Sequence, residues 1–219
     1  MKKLIAIGLG ICFGLFTVVT AFAYEDGDWQ FWNTESIEGN FVKNWKVKLE
    51  EEFRFGDSMG EFYYHHTDGG LTYRMMDWFY VGLNYRQIYE KKDGEWKEEN
   101  RPHINGTFNW KWQEFKLENR NRFEYRIREE KKDVWRYRNK LTFAFPVKHT
   151  KLGIQPYLAD EIFVDFDGGE LNRNRFYAGF KTKWIKHLKT DIFYLWQTSK
   201  KDDDWIDLNV IGAKLKVEF

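Results

Sequence analysis

Between Trp45 and Arg54 apolar and charged residues alternate. Trp45, Val47, Leu49 and Phe53 hold odd positions, interrupted by Glu51, and Lys46, Lys48, Glu50, Glu52 and Arg54 hold even ones. A period of two belongs to a strand with unlike faces. The same pattern recurs over 68–74, 79–86, 101–110, 115–128, 135–145, 154–164, 173–180, 188–197 and 211–219. Ten strands are predicted, with no stretch of helical period and no apolar run long enough for a transmembrane helix after residue 23.

Tight connections at Met75 to Asp77, Lys111 to Gln113 and Ile185 to Leu188 alternate with charged ones. The charged ones are Gly56 to Gly60, Lys91 to Glu95, Glu129 to Asp133, Asp165 to Glu170 and Lys200 to Asp204, and Pro146 to Lys151 forms a longer link. This describes an antiparallel up-and-down meander, all-β, which must close into a barrel or leave edges bare. Ten strands meet the even count of a bacterial outer-membrane barrel whose two termini share one side. The segment Asp28 to Ile37, aromatic at Trp29, Phe31 and Trp32 but without sustained alternation, is either a short lead-in or part of a twelve-strand version.

Alternation alone allows two orientations, a transmembrane barrel with lipid outside or a soluble periplasmic lipocalin-like barrel with an apolar, ligand-binding interior. The arginines favour the first. Every arginine lies on the face opposite the apolar one, whereas lysines are spread through turns as well as strands. A crowded interior favours the planar, weakly hydrated guanidinium, which pairs with carboxylates in two directions. Trp45, Trp78, Trp110 and Trp184 stand where a lower aromatic girdle belongs, and Tyr85, Tyr137, Tyr194 and Trp196 where part of an upper one does. Outward positions farther from the tight turns become polar, at His65, Gln87, Asn119, Asn121, Asn139, Asn174, Asp207 and Asn209. The chain ends on Leu215, Val217 and Phe219, which resembles the C-terminal recognition signal of bacterial outer-membrane barrels, although Gly212 is displaced from the usual glycine position.

Composition narrows the classes. With 219 residues, 20% aromatic content and a net charge of +1, the chain can bury a core and lacks the basic field that nucleic-acid binding needs. Lys2 and Lys3 precede an apolar run from Leu4 to Thr20, and Ala21-Phe22-Ala23 supplies small residues for cleavage after Ala23. Residues 1–23 therefore read as a secretory signal peptide rather than an uncleaved membrane helix, and 24–219 as one barrel domain. The only cysteine, Cys12, lies in that leader behind the bulky Ile11, so no lipid anchor, disulfide or thiolate site is expected afterwards.

The mature chain resembles a family of bacterial outer-membrane barrels of unassigned function, the domain of unknown function 2490. The likeness rests on Leu49-Glu50-Glu51-Glu52-Phe53-Arg54, Glu118-Asn119-Arg120-Asn121-Arg122-Phe123-Glu124-Tyr125-Arg126 and Trp135-Arg136-Tyr137-Arg138. It continues in Gln155-Pro156-Tyr157, Glu161-Ile162-Phe163 and Leu171-Asn172-Arg173-Asn174-Arg175-Phe176-Tyr177-Ala178-Gly179. The resemblance implies an outer-membrane location in a Gram-negative bacterium, and no established reaction or ligand. That address brings expected partners: outer-membrane lipid and lipopolysaccharide, and the barrel-assembly machinery through the strand ending at Phe219.

The candidate site is the inward charged face: Glu50, Glu52, Arg54, Arg74, Arg86, Glu118, Arg120, Arg122, Glu124, Arg126, Arg136, Arg138, Glu161, Arg173 and Arg175. Two readings stand. In one, these side chains plug the lumen with ion pairs and the barrel is structural; in the other, the excess of arginine lowers the barrier to small anionic solutes in a narrow pore. An alternative class is an outer-membrane lipid or peptide hydrolase with a site at the outer rim, near His65 and His66. Serines are scarce there, with Ser36, Ser58 and Ser199 in turns or the N-terminal segment, so the chain is read as no enzyme. Metal-binding spacings are absent from the sequence, and no cofactor is expected.

Overall fold

The computed structural model describes residues 25–146, 153–201 and 204–219. The expected leader at 1–23 and link residues 147–151 lie outside the described residues. Eleven strands form one closed barrel: β1 (Asp28–Val42), β2 (Trp45–Gly56), β3 (Glu61–Met76), β4 (Phe79–Lys92), β5 (Glu95–Trp112), β6 (Phe115–Arg128), β7 (Val134–Ala144), β8 (Gln155–Asp165), β9 (Glu170–Ile185), β10 (Leu188–Lys201) and β11 (Asp204–Glu218). Each pairs antiparallel with its neighbours in sequence, and β1 closes the ring by pairing parallel with β11.

The expected count of ten, or twelve, is therefore corrected to eleven. The missing strand is β1, in the segment left open between lead-in and strand. Its inward row is Gln30, Trp32, Thr34, Ser36 and Glu38, its outward row Trp29, Phe31, Asn33, Glu35 and Ile37. Tryptophan stands inside and a carboxylate outside, which blurs the alternation. Pairing supplies what the pattern lacks: Asp28↔Leu208 through Glu38↔Glu218 run in unbroken register against β11. An odd, parallel closure also puts the start of β1 and the end of β11 at opposite ends of the barrel, contrary to the shared side expected of the termini.

The turns sort into two ends. At the lower end, β1–β2, β3–β4, β5–β6 and β9–β10 join within two residues, and Phe219 lies beside them, its amide bonded to Glu38 O. At the upper end, the β4–β5 hairpin turns on Asp93 and Gly94, both at positive φ as a two-residue turn of inverted type requires. Three other upper connections are longer, at 57–60, 129–133 and 166–169.

The barrel is polar inside and apolar outside. Leu49, Leu71, Leu83, Ile104, Leu141, Leu158 and Ile192 are exposed on the outer surface, and Trp45, Trp78, Trp110, Trp112 and Trp184 ring its lower edge. Glu124, Glu161, Arg122, Arg138 and Arg175 are buried inside. A soluble lipocalin-like barrel requires the opposite arrangement. No helix among the described residues is long and apolar enough to cross a membrane, a criterion that does not apply to strands.

One glycine is explained by this interior. A Cβ on Gly212 would stand 2.0 Å from the Phe193 ring, which lies flat over the backbone of β11 and joins the internal cluster of Trp32, Tyr157, Tyr177, Leu195 and Val210. Gly212→Val should destabilise the barrel by about 1–3 kcal/mol, because the ring must leave its rotamer. A wild-type urea midpoint for that variant would refute this packing.

Candidate functional site

Alternation delivers the charges to the lumen and register makes them neighbours. Glu124 on β6 pairs across with Arg136 on β7, Arg122 with Arg138, and Glu161 on β8 with Arg175 on β9. Glu124 lies among four guanidinium groups, of Arg138 at 3.3 Å, Arg136 at 3.9 Å, and Arg101 and Arg122 at 4.0 Å each. Glu161 accepts hydrogen bonds from Arg138 at 2.8 Å, Arg120 at 2.9 Å and the Tyr177 hydroxyl at 3.0 Å. Glu99 takes two nitrogens of Arg126, at 2.5 and 2.9 Å, and Asp165 takes two of Arg136. On the facing wall Glu52 pairs with Arg54 at 2.5 Å and Asp68 with Arg86 at 2.8 Å.

Aromatic rings fill the space between these pairs. The Arg54 guanidinium sits 3.7 Å from the Trp32 ring centre and 4.0 Å from that of Tyr64. Phe163 lies beneath Arg138 at 4.5 Å and Arg175 at 4.9 Å. Flat, weakly hydrated guanidinium groups stack on such faces without giving up their in-plane hydrogen bonds. Phe163, Leu195, Ile88 and Val210 are all within 2% of complete burial. Ion pairs and rings together close the upper half of the lumen.

Below this plug the lumen opens into a cavity of about 760 Å³ that runs from Trp32, Arg54 and Arg175 down to Lys116, Lys183 and Lys189 beside the lower turns. Among the described residues, fourteen lysine and arginine side chains line it against five carboxylates. The charges are largely segregated: arginines face the plug and most lysines the mouth, with Lys140 beside the plug, 3.4 Å from the Tyr177 ring centre. Lys48, Lys189 and Lys216 have carboxylate partners. Lys181 and Lys214 instead lie over rings, 4.9 Å from that of Tyr157 and 5.3 Å from that of Phe193, with no carboxylate within ion-pair distance among the described residues. An excess of cations around a concave, low-dielectric surface focuses a field that gathers anions.

Most of the predicted site residues converge on this lumen, and three stand apart. Arg74 is exposed at the lower rim, bonded to Asn44 and 3.8 Å from Asp77. Glu118 is exposed near the β5–β6 turn and does not border the cavity. Arg173 stays above the plug, where its Nε donates to Ser199 Oγ at 3.0 Å. Sequence reasoning left out Asp68, Glu99, Arg101 and Asp165, although each shares the inward parity of residues already chosen. It also left the lysines out of the site, because they are spread through turns as well as strands. Their signal was position: Lys46, Lys48, Lys116, Lys183, Lys189 and Lys216 all fall on inward parity within a few residues of a lower turn.

The residues considered for hydrolysis are not assembled. His65 faces outward, stacked on Tyr89 at 5.0 Å, while His66 is buried inside, bonded to Tyr64 at 3.1 Å. Among the described residues no hydrogen bond joins a serine to a histidine, and no cluster of three potential metal ligands forms. Beyond the apolar belt, at the upper rim, Lys97 is held above the ordinary lysine range by hydrogen bonds to Glu95 and Glu130, and the same contact holds Glu95 below the usual carboxylate range. These are exposed pairs, unlike those of the plug.

Comparison with known proteins adds one match. A family model described as "Protein of unknown function (DUF2490)" covers residues 29–207, from β1 into β11. No curated protein matches the chain.

Proposed function

This chain belongs to the DUF2490 family, whose function is unknown, and we propose that it is an outer-membrane β-barrel that takes small anionic solutes into a basic vestibule facing the periplasm. One observation carries the reading: among the described residues, fourteen cationic side chains stand against five carboxylates around a cavity that ends at the plug. The exposed apolar belt and its tryptophan edge support insertion in a bilayer, and strands of 11 to 18 residues meet or exceed the roughly 9–11 needed to cross it. Export through a leader cleaved after Ala23, and assembly through the strand ending at Phe219, belong to the same proposal. The lower, short-turn end then faces the periplasm and the plug faces outward. Passage through the barrel requires the plug to move, so the resting protein is a receptacle and a structural element rather than an open pore.

Purified protein in planar bilayers should show little steady conductance, and calorimetric titration in detergent should show binding of inorganic pyrophosphate that weakens as salt rises. Large, steady cation-selective currents, or recovery as a freely soluble species, would refute the proposal.

A further inference from the structure

The outer surface carries a feature that a lipid-facing belt does not need. Asn119 and Asn121 on β6 and Asn139 on β7 point outward, between the inward Arg120, Arg122, Arg138 and Lys140. Their amides form a connected row. Asn119 and Asn139 donate to each other at 3.0 and 3.2 Å, Asn121 donates to Asn119 at 2.7 Å, and the Tyr137 hydroxyl donates to Asn121 at 2.6 Å. Asn174 donates to Asp160 at 3.0 Å on the adjoining strands. This row is not the edge of the belt. Asn119 is in register with Phe108 on one side and Leu141 on the other, and Asp160 with Leu141 and Phe176. Asn119 also stands only four residues from Phe115 at the lower turn, about 10 Å of height for a strand tilted as in such barrels.

Polar groups at that depth gain from a partner that lipid cannot supply. We infer that this face, on the membrane reading proposed above, is where a second copy of the chain docks. The chemistry selects a like partner. A carboxamide both donates and accepts and carries no charge, so a row of them is complementary to itself. Copies inserted in one direction share a two-fold axis parallel to the barrel axis, which sets each amide level with its own counterpart. The opposite wall lacks this property, because Glu35 and Glu51 stand side by side there and would repel a second such pair, whereas Asp160, beside the asparagine row, is a single carboxylate that already accepts from Asn174.

Disulfide trapping in outer membranes tests the pairing, with Cys12, the only cysteine, replaced by serine. Asn139→Cys should yield an oxidised band at twice the monomer mass, and Leu49→Cys, exposed on the opposite wall, should not. Adding Asn119→Leu and Asn121→Leu should abolish the band at Asn139→Cys. Native mass spectrometry of the unmodified protein should find the dimer. A monomer by both measures, equal trapping at Leu49→Cys, or an adduct of Asn139→Cys with a different protein would overturn the inference. Different gel mobility of boiled and unboiled samples shows the barrel inserted, so a failed dimer is distinguishable from a failed membrane assignment.

Discussion

Replacing Glu124 by alanine should cost the barrel about 3–5 kcal/mol, since removing one partner of a buried ionic group leaves the others uncompensated. Four guanidinium groups lie within 4.0 Å of this carboxylate, and their mutual repulsion has nowhere to relax inside a ring of eleven strands. Glu124→Gln should recover only part of the loss, because the amide keeps the shape but not the charge. Arg138 bridges Glu124 and Glu161, so the double variant Glu124→Ala with Glu161→Ala should depart from additivity. Urea midpoints in detergent, together with the temperature at which boiled and unboiled gel mobilities merge, measure all three. Wild-type values for Glu124→Ala would mean that the upper lumen is solvated and open.

The second large effect is expected at the vestibule. Lys181→Glu with Lys214→Glu should lower pyrophosphate affinity on the order of 10²-fold, the scale on which a focused field changes local ion concentration. These two lysines rest on Tyr157 and Phe193 and flank Asp191 in register, but lie within ion-pair distance of no carboxylate among the described residues, so they act on a solute more strongly than a bridged lysine would. Lys200→Glu, at the upper rim where Lys200 meets Glu170, should leave binding unchanged. Both variants should keep the difference in mobility between boiled and unboiled samples, since neither touches the plug. Unchanged affinity in the double variant would leave the basic vestibule without a role in binding.

The legibility of the fold followed the strength of alternation. β2 and β6 announce themselves because most outward residues are apolar and nearly every inward one is charged, and β11 does so only in its second half, since Ile206, Leu208, Val210 and Gly212 face inward in its first. β1 does not, because its pattern mixes Trp32 inside with Glu35 outside, and its identity comes from a partner almost two hundred residues away. The site divided in the same way. Arginine and glutamate on one parity pointed to an interior network, and the plug contains most of the residues so chosen. Arg74 and Glu118 share that parity but sit at the rim, where the lumen meets solvent and pairing is no longer forced. The lysines of the vestibule were left out of the site although several share the inward parity, because lysine, unlike arginine, also fills the turns, and only the closed barrel shows which of them border one cavity.

Two properties, then, were written in the linear order of residues: a meander of two-faced strands, and the side of each strand on which its charges fall. Both are local, set by a period of two that needs no distant partner. Closure by an odd strand, the meeting of four arginines at one carboxylate, the flat seating of Phe193 on Gly212 and the division of the lumen into plug and vestibule were decided only in three dimensions. Strand register and barrel tilt determine which inward residues share a height, and those are collective quantities of all eleven strands that no single stretch of sequence contains.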